Sequence, residues 1–265
     1  MTSTLVLSDD TGAVRVLTMN RPAARNALSP DLIGALYAAL READDDPSVR
    51  AVVLTGADPA FCAGVDLKEA QRLGPAYFEH FQTQNCIRQT GEMRTPIVGA
   101  INGAVFTGGL EMALGCDFLI ASERAVFADT HARVGILPAG GMTARLPHVV
   151  GAATARRLSM TGEVVDAARA ERIGLVTEVV PHDHLLARSV ELAGQIAEVP
   201  GPIMAGVKEI YVAGTAAIID PALAAEQTIA GAQTLDRDGL KDRYAEISER
   251  NRRQIRPQPD ASSGL

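Results

Sequence analysis

The chain has 265 residues, 47% of them hydrophobic, and 25 basic against 32 acidic residues give a formal net charge of -7. That length supports one large domain, or a domain with an appendage, around a substantial core, and an acidic balance with no long basic run outside the C-terminal end argues against a nucleic-acid binder. Cys62, Cys86 and Cys116 form no CxxC pair and are odd in number, so a reducing, cytoplasmic setting is expected rather than a secreted disulfide framework; no signal peptide is read, and no stretch approaches the roughly 18 apolar residues of a membrane span.

The first predicted elements are two short strands, "TLVLS" and "AVRVLTM", joined by a turn at "DDTG". In "SPDLIGALYAALREADDD", Ser29 can cap a helix that starts at Pro30, and Leu32, Ile33, Leu36, Tyr37 and Leu40 share one face. The apolar run "RAVVLTG", residues 50–56, suits a strand buried on both faces. A helix over about 75–93, a strand "PIVGAI" from Pro96, a helix from about Gly108 and a strand "DFLIAS" from Asp117 continue the alternation and predict a parallel α/β core. After Gly141 the pattern turns helical, with helices over 183–199, 202–217, 219–234 and 239–254 and one clear strand, "LVTEVV" at 175–180. Leu240, Tyr244 and Ile247 form an apolar stripe on the last helix, and "RPQPDASSGL" beyond it is expected to be disordered.

Two loops follow apolar strands and are rich in small residues: "GADPAFCAGVDLKE", residues 56–69, and "NGAVFTGGLEMA", residues 102–113. Small residues let backbone N–H groups approach a ligand, and a helix starting there favours developing negative charge, so the two loops together can build an oxyanion hole. Neither loop is a GxxxxGK[ST] phosphate loop or a GxGxxG fingerprint, and no GxSxG or HExxH occurs. No metal site is therefore expected, and His182 and His184, beside Pro181, read as a solvated turn. The cysteines read as small apolar packing residues.

In order, "AFCAGVDLKE", "AINGAVFTGGLEMALGCDFLIAS" and "FADTHARVGILPAGG" resemble the crotonase, or enoyl-CoA hydratase/isomerase, superfamily, over about residues 5–200. The resemblance implies an α/β fold: a spiral of ββα turns over residues 1–200 that carries an acyl-CoA site. A C-terminal helical oligomerisation region over 201–256 and a tail over 257–265 complete the expected organisation, assembled as a homotrimer or a dimer of trimers. It also implies that the N–H groups of Val65 and Gly108 hold the thioester oxygen, and that Arg25, Ala63, Gly64, Val65, Asp66 and Leu67 line the CoA moiety. The substrate is then an acyl-CoA thioester of lipid or fatty-acid metabolism. No metal or redox cofactor is implied, since the thioester acidifies its own α carbon and CoA belongs to the substrate; neither nucleic acid nor membrane insertion is expected.

Hydratases of this superfamily use two glutamates to deliver one water. Glu111 falls on the first position; at the second, where "PEI" is usual, this chain has Thr130, His131 and Ala132. The resemblance implies a lyase that hydrates a trans-2-enoyl-CoA, with Glu111 as acid/base and His131 either substituting for the missing carboxylate or serving structure. A double-bond isomerase and a non-catalytic acyl-CoA-binding protein are the alternatives. Asp129 either orients His131 or faces solvent, and the solvent reading is preferred. The cluster Arg250, Arg252, Arg253 and Arg256 reads as a solvated helix face rather than a CoA-phosphate contact, and the C-terminal sequence departs from the superfamily's usual ending.

Overall fold

The structure, a computed structural model, describes residues 4–234 and 237–255. β1 (Val6–Thr11) and β2 (Val14–Met19) pair antiparallel about a turn at Gly12, as the Asp-Gly cluster predicts. α1 (Pro30–Asp45) begins where expected: the Ser29 side chain accepts from the Leu32 N–H, Pro30 takes the first helical position, and Leu32, Ile33, Leu36 and Leu40 are buried.

Three strand-strand-helix turns then follow. The first comprises β3 (Ala51–Gly56), β4 (Ala60–Cys62) and the helices α2 (Leu67–Leu73), α3 (Pro75–Thr83) and α4 (Cys86–Glu92). The second comprises β5 (Ile97–Ile101), β6 (Ala104–Phe106) and α5 (Gly108–Ala113); the third comprises β7 (Phe118–Ser122), β8 (Val126–Ala128) and α6 (His131–Val134). The chain continues through α7 (Met142–Val150), α8 (Ala152–Thr161), β9 (Val165–Asp166), α9 (Ala167–Arg172), β10 (Glu178–Val180), α10 (Leu185–Glu198), α11 (Gly201–Gly231) and α12 (Arg237–Ile255).

Each turn sends its first strand to a six-stranded sheet ordered β1-β2-β3-β5-β7-β10 and its second to a four-stranded sheet ordered β4-β6-β8-β9. Both sheets are parallel through the repeated turns. The helix of each turn therefore always starts at the same end of the second sheet, which brings the two small-residue loops side by side. The larger sheet is covered on both faces: Val52, Leu54, Ile97 and Leu119 join the main core with the buried residues of α1, α4 and α5, while Val53, Val98 and Ile120 pack with Leu185 and Ala193 of α10. Burial of alternate residues on opposite faces explains why these strands read as unbroken apolar runs.

Several expectations need correction. The helix over 75–93 is two helices, interrupted where the Asn85 side chain accepts from the Arg88 N–H and caps α4. The strand at 175–180 is confined to β10, and the short strands of the second sheet carried too few residues to show a period. The helices over 202–217 and 219–234 are one helix, α11, which runs through Pro221. At a mean hydropathy of 1.3 over its most apolar window, α11 is long and apolar enough to cross a membrane by length and composition, contrary to the expectation that nothing approached a span. The tail from 256 and the side chains of Leu240 and Tyr244 lie outside the described residues.

Candidate active site

The loop after β4 and the loop after β6 touch through their backbones. Gly64 has φ +88°, and a Cβ placed on it would lie 2.0 Å from the Thr107 hydroxyl and 3.2 Å from the Gly108 nitrogen. Gly108 is the first residue of α5, where an N–H has no intrahelical acceptor. Beside it, Leu28 pairs with the residues that flank Val65: its N–H donates to the Gly64 carbonyl and its own carbonyl accepts from the Asp66 N–H. The Val65 N–H is thereby left out of that pairing, so two backbone donors stand together beside a cavity of about 450 Å³.

That cavity is lined by Arg25, Ala63, Val65, Asp66 and Leu67 of the expected CoA segment, and by Thr107, Thr130 and His131. Gly64 is buried behind it. Asp66 is committed to structure: its carboxylate accepts from the N–H groups of Lys68 and Glu69 at the start of α2 and from the Arg21 guanidinium at 2.6 Å. The far side is built by α12, whose Ile247, Asn251 and Arg252 line the cavity together with Lys68 and Arg21. Asn251 is buried, and its Oδ1 has no hydrogen-bond partner among the described residues. Arg252 and Arg253 both pair with Glu249 on the exposed side of the helix, as the solvated-face reading expects, although Arg252 also borders the cavity; Arg250 departs from that reading, being partly buried and donating to the carbonyls of Thr161 and Gly162. Arg256 lies outside the described residues.

Glu111, on the first turn of α5, is 3% exposed and lies beside Gly108 and His131, its Oε2 at 3.7 Å from the imidazole Nε2. That separation is too long for a direct hydrogen bond and short enough for an ion pair. The other carboxylate oxygen, Oε1, accepts from the N–H groups of Gly140 at 2.8 Å and Met142 at 3.3 Å. Gly140 must lack a side chain, because a Cβ there would lie 2.7 Å from Glu111 Oε2.

Asp129 does not face solvent. It is 2% exposed, and its Oδ1 accepts from the His131 backbone N–H at 3.2 Å and lies 2.8 Å from Nδ1 of the ring. With Nδ1 held by Asp129, Nε2 is the ring atom presented to Glu111. The three side chains thus form a buried file, Asp129, His131, Glu111, that ends behind the amide pair.

Burial pushes the Glu111 carboxyl above its ordinary range, although the His131 charge and the Gly140 amide oppose the rise. For His131, burial acts downward, but the Glu111 and Asp129 carboxylates outweigh it and the net direction is up. Asp129 is desolvated too, yet the imidazole beside it brings it below its usual value. Facing each other at 3.7 Å, each group's charge acts on the other, so they titrate as a coupled pair rather than as two independent groups.

The remaining candidates have other roles. Cys62, Cys86 and Cys116 are free and buried, and burial pushes the Cys62 and Cys116 thiols up to about 12, which leaves no thiolate nucleophile. His184 is exposed as expected, but His182 is partly buried between the Ser122 hydroxyl at 2.9 Å and the Asp58 carboxylate at 3.1 Å. Among the described residues, no three His, Cys, Asp or Glu side chains are arranged so that they could hold a metal ion.

A probable enoyl-CoA hydratase from Rhizobium meliloti is 40% identical over 206 residues, 77% of this chain and 79% of that one. The crystal structure of an enoyl-CoA hydratase from Mycobacterium smegmatis is similar over 86% of this chain and 97% of that one, at 46% identity and a TM-score of 0.76. The crystal structure of an enoyl-CoA hydratase/isomerase from Pseudoalteromonas atlantica covers 93% of this chain and 98% of its own, at 31% identity and a TM-score of 0.81. The family model for enoyl-CoA hydratase/isomerase matches residues 9–251, and the chain, with its crotonase-like α/β fold, belongs to that family.

Proposed function

We propose that this protein hydrates trans-2-enoyl-CoA thioesters in lipid metabolism, with Glu111 and His131 as one acid/base pair. The observation that carries the reading is the opposition of the two side chains, 3.7 Å apart, beside the Val65 and Gly108 amides. A water can accept and donate across such a gap. In the proposed reaction the thioester oxygen accepts from both amides, and the basic member of the pair takes a proton from the water as its oxygen bonds to C3. The electrons of the C2=C3 bond move into the thioester as an enolate. The acidic member then delivers its proton to C2 and the carbonyl re-forms, so that one water is added and the pair ends with the protons it began with. Asp129 holds the ring in the tautomer and direction this requires. No metal or redox cofactor enters, because the thioester itself stabilises the C2 carbanion.

Arg25, Lys68 and Arg252 surround the same cavity with positive charge, which suits the phosphates of CoA, and the unpartnered Asn251 Oδ1 offers an acceptor to an amide or hydroxyl of the ligand. Three free thiols favour a reducing, cytoplasmic location.

The decisive assay follows loss of conjugated absorbance when a short trans-2-enoyl-CoA is mixed with the pure protein. Turnover is expected, and His131→Ala is expected to lower kcat by about 10- to 100-fold. An unchanged kcat removes His131 from the pair. Binding without turnover would establish an acyl-CoA-binding protein, and migration of the double bond without hydration would establish an isomerase.

We place α11 at a subunit contact in a trimer or a dimer of trimers rather than in a membrane. Its Ile203, Ile210, Tyr211 and Ile218 are 58–74% exposed on one stripe, an apolar area that self-association covers. Its buried residues, Lys208 and Glu226, are charged and engaged with the core, and a spanning helix would carry both into lipid. Ile210→Glu is expected to convert the assembly to smaller species in sedimentation velocity; wild-type protein that sediments as a monomer would overturn the placement.

A further inference from the structure

The turn between α6 and α7 is gripped by two carboxylates in alternation. The N–H groups of Gly140 and Met142 donate to Glu111, whereas those of Gly141 at 2.8 Å, Thr143, and Ala144 at 3.2 Å donate to Glu226. The Thr143 hydroxyl adds a further bond to Glu226, at 2.6 Å. Glu226 belongs to α11, more than 80 residues further along the chain, and is 6% exposed. The start of α7 has no cap of its own, since its flanking residue is Gly141. A helix start needs one side-chain acceptor; here a single distant carboxylate takes three amides and a hydroxyl, interleaved with the two amides that hold Glu111.

We propose that Glu226 is a positioning residue for the reaction: by fixing Gly141, Thr143 and Ala144, it sets the placement of the intervening amides that hold the Glu111 carboxylate against His131. The inference rests on the hydratase reading of Glu111. It is distinct from that reading, because Glu226 does not line the cavity and touches neither His131 nor the amide pair. Arg145 reinforces the turn from within, its guanidinium donating to the Gly140 carbonyl at 2.9 Å.

Misplacing a reacting group by about 1 Å can cost about 100-fold in rate, so the effect belongs in kcat. The groups that face Glu226 are Glu111 from α5, His131 from α6 and Arg145 from α7, with Glu92 and Arg88 of α4 beyond Arg145. The negative charge of Glu226 raises the proton affinity of both Glu111 and His131. Its loss therefore moves the limbs of the kcat profile to lower pH.

The test compares wild type, Glu226→Gln, Thr143→Val and Glu111→Gln as full-length proteins with a short trans-2-enoyl-CoA, recording kcat, KM, the pH profile of kcat and the melting temperature. Glu226→Gln is expected to lower kcat by about 10- to 100-fold, with KM within about twofold and the limbs shifted to lower pH. Thr143→Val, which deletes one of the bonds but keeps the Thr143 N–H donor to Glu226, is expected to lower kcat by about two- to fivefold with the fold retained and a modest fall in melting temperature. If Glu226→Gln changes only the melting temperature while Glu111→Gln is inactive, Glu226 is a structural cap and the proposal fails with the hydratase reading intact. If Glu111→Gln is active, the hydratase reading itself fails. Should Glu226→Gln not fold, Thr143→Val decides: a lower kcat supports the proposal and an unchanged kcat overturns it.

Discussion

Glu111→Gln is expected to reduce turnover of a trans-2-enoyl-CoA by about 1,000-fold, with affinity for a saturated acyl-CoA within about threefold of wild type. The variant keeps the side-chain volume and an oxygen for the Gly140 and Met142 amides, so the turn need not move. What it loses is the ability to take and return a proton opposite His131. Affinity is spared because the residues that line the cavity, Arg25, Ala63 and Val65 to Lys68 among them, are unchanged. Stability should move in the opposite sense from activity. A carboxyl whose pKa is raised by folding favours the folded state below about pH 4.5 and costs stability as pH rises and the buried group ionises. At neutral pH the glutamine variant should therefore melt at or above the wild-type temperature. A rate within threefold of wild type would remove Glu111 from the chemistry, and a lower melting temperature would show that the two amides need the charge.

The second large effect is expected at Gly64→Ala, predicted to lower kcat by about 100-fold, the cost of losing one donor of an oxyanion hole. A Cβ at Gly64 meets the Thr107 hydroxyl at 2.0 Å and the Phe106 carbonyl at 2.8 Å, and the residue's φ of +88° adds strain for any side chain. The two loops must part, and the Val65 and Gly108 amides part with them. Because the two amides hold the developing enolate more tightly than the ground-state thioester, KM should change far less than kcat. Circular dichroism and the melting temperature check that the fold survives. A folded variant with wild-type kcat would show that the amide pair does not carry the negative charge.

The parts legible in the sequence were those whose cause is local. The apolar runs of β3, β5 and β7 are fixed by burial on both faces of one sheet, and the α1 cap by Ser29 and Pro30, so both were readable before any contact was known. The paired loops were likewise visible as small residues after strands. Asp129 was misread because spacing of two from His131 says nothing about what covers it; only the start of α6 turns the carboxylate onto the imidazole. Glu226 gave no local signal, being one acidic residue in a long apolar stretch whose partners lie far earlier in the chain. Asn251 is obscured by a helix rich in surface charge, in which the face toward the cavity depends on how α12 packs against α2 and α6. α11 was divided in two because its outward apolar side shows no clean inward stripe and Pro221 suggests a new start.

The two buried residues of α11 carry a consequence for how that helix finds its seat. Lys208 donates to the Asp117 carboxylate at 2.9 Å and to the Thr95 carbonyl at 3.1 Å, and Glu226 receives the amides at the start of α7. The two positions are 18 residues apart, five full turns, so they fall on the same line down the helix about 27 Å from each other. Opposite charges at the two ends of one line work as a two-toothed key. Sliding the helix by a single residue turns both teeth about 100° out of their slots, and reversing it brings each to a slot of the wrong sign. Apolar surfaces tolerate sliding; this helix, whose apolar side points outward, is registered by ions instead.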